Sequence, residues 1–254
     1  MLEVLGFYQG LGLALSVLVV ATFALAGMVK GVIGLGMPTV AMGLLGLAMA
    51  PAQAAALLIV PATLTNLWQL AFGGHLRGLL RRLWPMLLTV LAGTLLGSHW
   101  LGINGGHWVT RSLGAALLVY ALVGLFQPPL RVASRHEVWL GPVCGLITGL
   151  ITAATGVFVI PAVPYLQSLG LHRDALIQAL GLSFTVSTLA LAVGLFWQDS
   201  LGGAELGASL LVLLPALLGM FMGQWLRQRI SAVVFKRVFF VGLGVLGGHL
   251  LLNG

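Results

Sequence analysis

The sequence predicts an all-α polytopic membrane protein of about ten transmembrane or half-membrane helices, arranged as two inverted five-helix repeats. Three observations lead there: a composition that cannot cover a water-soluble surface, basic residues that fall on one side of a series of apolar spans, and an internal repeat. Of the 254 residues, 59% are hydrophobic and only 7% charged, whereas a soluble domain carries about 25% charged residues. With a mean hydropathy of +1.09, most of the surface is expected to face lipid. The N-terminal MLEVLGFYQG holds the acidic Glu3 where a signal peptide would hold basic residues, and no small-residue cleavage site follows a short apolar stretch. An uncleaved chain is therefore expected. Cys144 is the single cysteine and has no internal disulfide partner. The pI of about 10.8 does not indicate nucleic-acid binding, because the basic residues are scattered between apolar spans, as membrane orientation produces.

Ten apolar segments follow in order, at about 10–29, 38–50, 52–73, 83–101, 112–126, 138–156, 157–170, 174–197, 205–225 and 238–253. About 20 apolar residues suffice for a helix to cross the hydrocarbon core; the second and seventh segments are the shortest. With the N-terminus outside, the inner side receives Lys30, Arg77, Arg81, Arg82, Arg131, Arg135, Arg173, Arg227, Arg229, Lys236 and Arg237. Only Arg111 falls outside, along with the acidic loop QDSLGGAE. A miscounted span would scatter these charges to both sides, so the bias supports both the count and the orientation. A multi-pass protein of the cell inner (plasma) membrane is expected.

The halves of the chain resemble each other. An offset of 126 places Gly93 and Gly97 of GTLLG on Gly219 and Gly223 of GMFMG, and Arg111 on Arg237. An offset of 122 places Gly27 on Gly149, Gly34 on Gly156, Thr63 on Thr185 and Thr65 on Ser187; Pro38 meets Pro161 after one inserted residue. The units are residues 1–126 and 138–254, joined by a polar cytoplasmic linker, QPPLRVASRHE, at 127–137. An odd number of spans per unit turns the second upside down, a recurring plan of secondary transporters.

The two shortest segments occupy matching positions, and Gly, Thr and Pro interrupt both: KGVIGLGMP at 30–38 and TAATGVFVIP at 152–161. Proline removes a backbone donor and glycine weakens a helix, so neither stretch is expected to be a continuous helix. The freed backbone groups must be buried in protein or line a wet cavity. Paired broken segments are the sequence pointer to a transport site. A helix restarting near Pro38 would aim its electropositive N-terminus into the gap, and Lys30 stands at the other lip. All five carboxylates, Glu3, Glu137, Asp174, Asp199 and Glu205, fall at span ends or in loops. Carriers of cations and protons place carboxylates inside the membrane, so the inventory favours an anion. The candidate lining is Lys30, Gly34, Gly36 and Pro38 at the first break, Thr152, Thr155 and Gly156 at the second, Thr63, Asn66 and Gln69 (with Thr65) in the third span, and Ser183, Thr185 and Ser187 in the eighth. Thr63, Asn66 and Gln69 are spaced by three and share a helix face.

These residues resemble the sulfite exporter TauE/SafE family over nearly the whole chain. The similarity rests on GMVKGVIGLGMP, LLIVPATLTNLWQLAFGG, TGLITAATGVFVIP and LPALLGMFMGQWLRQRISAVVFKRVF. It implies a permease for small anions, sulfite or organosulfonates and some carboxylates, usually outward. Thr152 and Ala153 stand where the first half has Lys30 and Gly31, so an asymmetric charge across the cavity is expected. Two readings of Lys30 stay open, a snorkelling anchor at the inner end of its span or a site charge. The glycines in GxxxG settings read as close-packing contacts. An intramembrane serine hydrolase using Ser183 is disfavoured, because GLSF lacks the second glycine of a nucleophile elbow and no histidine stands inside a span. An assembly factor for another membrane complex is the remaining alternative. No cofactor, metal or nucleic acid is expected; the partners are a small anionic substrate and the bilayer, and association into a homo-oligomer is left open.

Overall fold

The computed structural model of the chain describes residues 2–71, 73–101, 103, 106–126 and 131–254. Ten helices and no strand occur among the described residues. They are α1 (Leu2–Ile33), α2 (Met37–Leu45), α3 (Pro51–Ala71), α4 (Leu76–Trp100), α5 (Gly106–Phe126), α6 (Ser134–Thr155), α7 (Ala162–Ser168), α8 (Arg173–Trp197), α9 (Gly203–Leu226) and α10 (Ala232–Asn253). Eight of these are long and apolar enough to cross a membrane, and the chain is a polytopic membrane protein. The exceptions are α2 with nine residues and α7 with seven. At 1.5 Å per residue these reach about 14 and 10 Å, half or less of a hydrocarbon core of about 30 Å. The sequence segments 38–50 and 157–170 thus overstate the helices inside them. Hydrophobicity runs on past α2 through Leu47 to Met49, although the helix has ended at Gly46. Of the expected linker 127–137, residues 127–130 lie outside the described residues, and its last four, Ser134 to Glu137, form the first turn of α6.

Contacts between the helices fix their directions. Gly27 packs on Ala216 and Gly31 on Met220, as Ala24 meets Gly219 and Met28 meets Gly223; in each set the numbers rise together, so α1 and α9 are parallel. In the same way Gly145 packs on Met86, Gly149 on Val90 and Gly97 on Ala153, making α4 and α6 parallel. The pairs α5–α10 and α3–α8 are antiparallel: Gly114 meets Gly247 while Gly124 meets Phe240, and Leu70 bonds to Gln178 while Asn66 bonds to Thr188. Helices α1 and α3 run the same way, since Lys30 reaches Thr65 and Gly34 reaches Gln69. Residues 34–50 must therefore carry the chain back across the bundle, through α2 and its unwound flanks. At one end of the bundle α1, α3, α5 and α9 finish and α4, α6, α8 and α10 begin. That end holds every Lys and Arg of the sequence except Arg111, as the span count requires.

Lipid gives apolar side chains no drive to associate with one another, so the bundle is held by close packing of small residues. A Cβ on Gly27 would lie 2.0 Å from the Ala216 carbonyl oxygen, and one on Gly219 would lie 2.0 Å from that of Ala24. Only glycine lets the α1 and α9 backbones approach this far. A second device repairs a broken helix. Pro61 has no N–H for the Leu57 carbonyl, and the Ser209 hydroxyl of α9 donates to that carbonyl instead, at 2.7 Å. The same hydroxyl accepts from the Val60 N–H at 3.0 Å, so α3 is joined to α9 where it is weakest.

Gly27→Ala and Gly219→Ala are expected to destabilise the folded protein by about 1–3 kcal/mol each, the usual cost of overpacking. Gly242→Ala, with no atom within 4 Å of the new Cβ, is expected not to lower its stability, and to raise it by up to about 1 kcal/mol. Thermal unfolding in detergent separates the two outcomes.

Candidate functional site

The chain breaks where the sequence predicts. Helix α1 ends at Ile33, and Gly34 and Gly36 take left-handed conformations with φ of +78° and +102°. Gly36 caps α2, and Pro38 sits in the first turn, where no N–H is needed. A Cβ on Gly36 would lie 2.8 Å from Val29 Cγ1, so both conformation and space require glycine there. The Gln69 side-chain amide donates to the freed Gly34 carbonyl at 2.7 Å. In the second half α6 ends at Thr155, and Gly156 follows with φ of +70°, packed on Met42 of α2. Val157, Phe158 and Val159 beyond it are fully buried. The second stretch is thus buried in protein, while the partly buried Gly34 of the first faces a cavity, the two settings allowed to unwound backbone at membrane depth.

Lys30 lies one turn before the first break and is 4% exposed. Its ammonium turns inward to α3, where it donates to Thr65 Oγ1 at 2.9 Å and to Asn66 Oδ1. The Thr65 hydroxyl gives its own proton to the Pro61 carbonyl at 2.6 Å, which leaves a lone pair for Lys30. Asn66 Nδ2 donates to Thr188 Oγ1 of α8 at 3.4 Å, and that hydroxyl donates to the Phe184 carbonyl at 2.7 Å. Every partner presented to the ammonium is neutral. Among the described residues the one ion pair is Arg82–Glu137, so no carboxylate compensates the buried charge. Such a charge is costly without a counter-charge. The start of α2, with Met37 Sδ 3.7 Å from Thr65 Oγ1, adds the positive end of a helix dipole beside it.

Lys30, Gly34 and Gln69 line a cavity of about 210 Å³ together with Gly31, Trp68, Ile177, Met220, Gln224 and Arg227. The cavity reaches the basic end of the bundle, where Arg227 follows the last residue of α9. It is smaller than the roughly 300–1,000 Å³ of pockets for drug-sized ligands, which suits a small ion.

The other candidates from the sequence stand apart from the lysine. The Thr63 hydroxyl returns to the Ile59 carbonyl of its own helix at 2.7 Å, and that of Thr185 to the Gly181 carbonyl at 2.7 Å. Thr152 and Thr155 bond to the Thr148 and Ile151 carbonyls of α6, each at 2.7 Å. Ser183 and Ser187 are fully buried with hydroxyls that find no partner among the described residues. At 100° per residue they lie on the side of α8 that carries Gly194, which packs on Ser98 of α4, and away from Gly181 and Thr188. Sequence reasoning passed over Thr188, although the offset of 122 that aligns the halves places Asn66 on Thr188. It also left out Gln224 and gave Arg227 only an orienting role.

A buried cation beside interrupted helices, inside a multi-pass bundle, marks a membrane transport protein. The chain belongs to the sulfite exporter TauE/SafE family, whose model matches residues 19–250. No curated protein and no solved structure gives a significant match. The family is one of transporters, and the chain belongs with them.

Asn66→Leu removes one of the lysine's acceptors inside the protein and is expected to cost about 1–3 kcal/mol of stability, the range for an orphaned buried polar group. Thr63→Val removes a hydroxyl that serves only its own helix and is expected to leave the unfolding midpoint in detergent unchanged.

Proposed function

We propose that the chain is a permease that exports small oxyanions, sulfite or an organosulfonate foremost and small carboxylates besides. It works by alternating access between two inverted units, residues 1–126 and 138–254, joined by the linker at 127–137. The observation that carries this reading is the Lys30 ammonium, buried against Thr65 and Asn66 with no carboxylate among the described residues to balance it and lining a cavity of about 210 Å³. A small anion entering the cavity supplies the missing charge and gains charge-assisted hydrogen bonds. The helix directions support the inverted repeat. Equivalent helices α3 and α8 meet antiparallel, as do α5 and α10, while the parallel pair α1–α9 is echoed by α6–α4. Asn66 and Thr188, matched by the repeat, bond to each other, so a pseudo-two-fold axis would pass between them in the membrane plane. The charge bias makes the basic end cytoplasmic and the N-terminus external, in the inner membrane.

In proteoliposomes loaded with radiolabelled sulfite, Lys30→Ala is expected to slow efflux about tenfold or more, the equivalent of at least 1.4 kcal/mol of lost binding. Asn66→Asp puts a carboxylate in the place of the cargo. It is expected to abolish efflux while the protein stays folded, with an unfolding midpoint no lower than the parent's. Unchanged efflux in both variants would return Lys30 to the role of an anchor.

A further inference from the structure

The cations of the cavity lie at two depths. Lys30 sits at the floor, fastened to α3. Arg227 lines the same cavity at the basic end, one helical turn beyond Gly223, which packs on Met28 of α1. Gln224, three residues earlier and on the same side of α9, joins the lining. Arg227 forms no ion pair with any carboxylate among the described residues. Its neighbour Arg229 is used differently: its guanidinium lies 3.9 Å from the centre of the Trp225 ring, and it takes no part in the cavity lining.

The repeat has no equivalent of this mouth. The offset of 126 that superposes Gly219 and Gly223 on Gly93 and Gly97 places Gln224 on Ser98 and Arg227 on Leu101. The offset of 122 places Lys30 on Thr152. If alternating access opens the equivalent passage at the opposite end, between α4, α6 and α8, it meets a serine, a leucine and a threonine, with no cation among them.

Resting on the anion-permease reading, we propose that Arg227 and Gln224 form a shallow oxyanion-capture subsite at the basic mouth, separate from the Lys30 site. It makes the carrier's apparent affinity for oxyanions higher from the basic face than from the opposite face. A cation set in a concave, low-dielectric mouth raises the local concentration of anions and their rate of association, by about tenfold upward. The guanidinium also offers a fork of donors that matches an oxyanion edge, and the Gln224 amide supplies one more. An anion arriving there is partly desolvated before it reaches the lysine. The positions equivalent to Gln224 and Arg227 at the opposite mouth, Ser98 and Leu101, carry no charge.

The test measures initial rates of sulfite uptake and efflux in oriented proteoliposomes, giving a KM for each face at low and high ionic strength. For the parent, KM is expected to be lower from the basic face, and to rise with ionic strength on that face only. Arg227→Gln is expected to raise the basic-face KM about tenfold, leaving the maximal rate and the opposite-face KM in place. Arg227→Lys is expected to keep most of the affinity, and Arg229→Gln to change neither constant. Equal KM values from the two faces of the parent would overturn the proposal without recourse to any variant. So would an Arg227→Gln protein with the parental KM, or equal effects of Arg227→Gln and Arg229→Gln, which would mark a general surface-charge effect. Absence of saturable sulfite flux in the parent protein would overturn the permease reading and the capture subsite with it.

Discussion

A lysine ammonium held inside a membrane protein by a threonine hydroxyl and an asparagine amide is the constraint on which the rest of this structure depends. Hydrogen bonds to neutral acceptors orient the ammonium but do not cancel its charge, and at membrane depth an uncancelled charge is expensive. The surroundings of Lys30 lower that cost without removing it. The Thr65 hydroxyl is turned by the Pro61 carbonyl so that it accepts, and Asn66 is held by Thr188 so that its oxygen faces the lysine. A carboxylate at either position would have settled the charge internally. On the permease reading, neutral partners leave it to be settled by the anion that enters the cavity, which would couple the stability of the site to its use.

The fold provides the conditions for such a site. Glycine contacts draw α1 against α9 and α6 against α4 so closely that each pair forms a strut with its backbones in contact. Between the struts the chain can be left unwound, because its freed backbone is buried in protein or faces the cavity. The Gln69 amide on the Gly34 carbonyl and the Ser209 hydroxyl on the Leu57 carbonyl are two instances in which a side chain from another helix does what a helical N–H would have done. Both place a polar group at depth without exposing it to lipid. The parallel course of α1 and α3 follows from the same arrangement, since the unwound stretches on either side of α2 let a nine-residue helix stand in for a full crossing.

Much of this was legible in the sequence, for identifiable physical reasons. Hydropathy marks spans because the bilayer core admits little else, and the distribution of Lys and Arg reads out which helix ends share a side. Gly34, Gly36, Pro38 and Gly156 announce the breaks, because no continuous helix accommodates them all. Other features depend on tertiary contacts that no local pattern encodes. The lengths of α2 and α7 were overstated because apolar residues continue into the turns that end them. The spacing of Thr63, Asn66 and Gln69 suggested one working face, yet Thr63 bonds within its helix and Thr65 takes the lysine. Lys30 itself was ambiguous, since an interfacial anchor and an inward-turned ammonium have the same sequence signature. Arg227 looked like any other orienting charge until the cavity placed it above Lys30.

Whether the anion rests on the inward-turned Lys30 ammonium can be tested by locating the anion itself. Selenite has the shape and charge of sulfite and scatters anomalously, so a crystal of the protein grown with it would mark the bound oxyanion directly. A selenium peak is expected inside the cavity, with a selenite oxygen within hydrogen-bonding distance of Lys30 Nζ, and its loss is expected in Lys30→Met. Peaks confined to the arginines of the outer surface, or a cavity peak that persists unchanged in Lys30→Met, would contradict it.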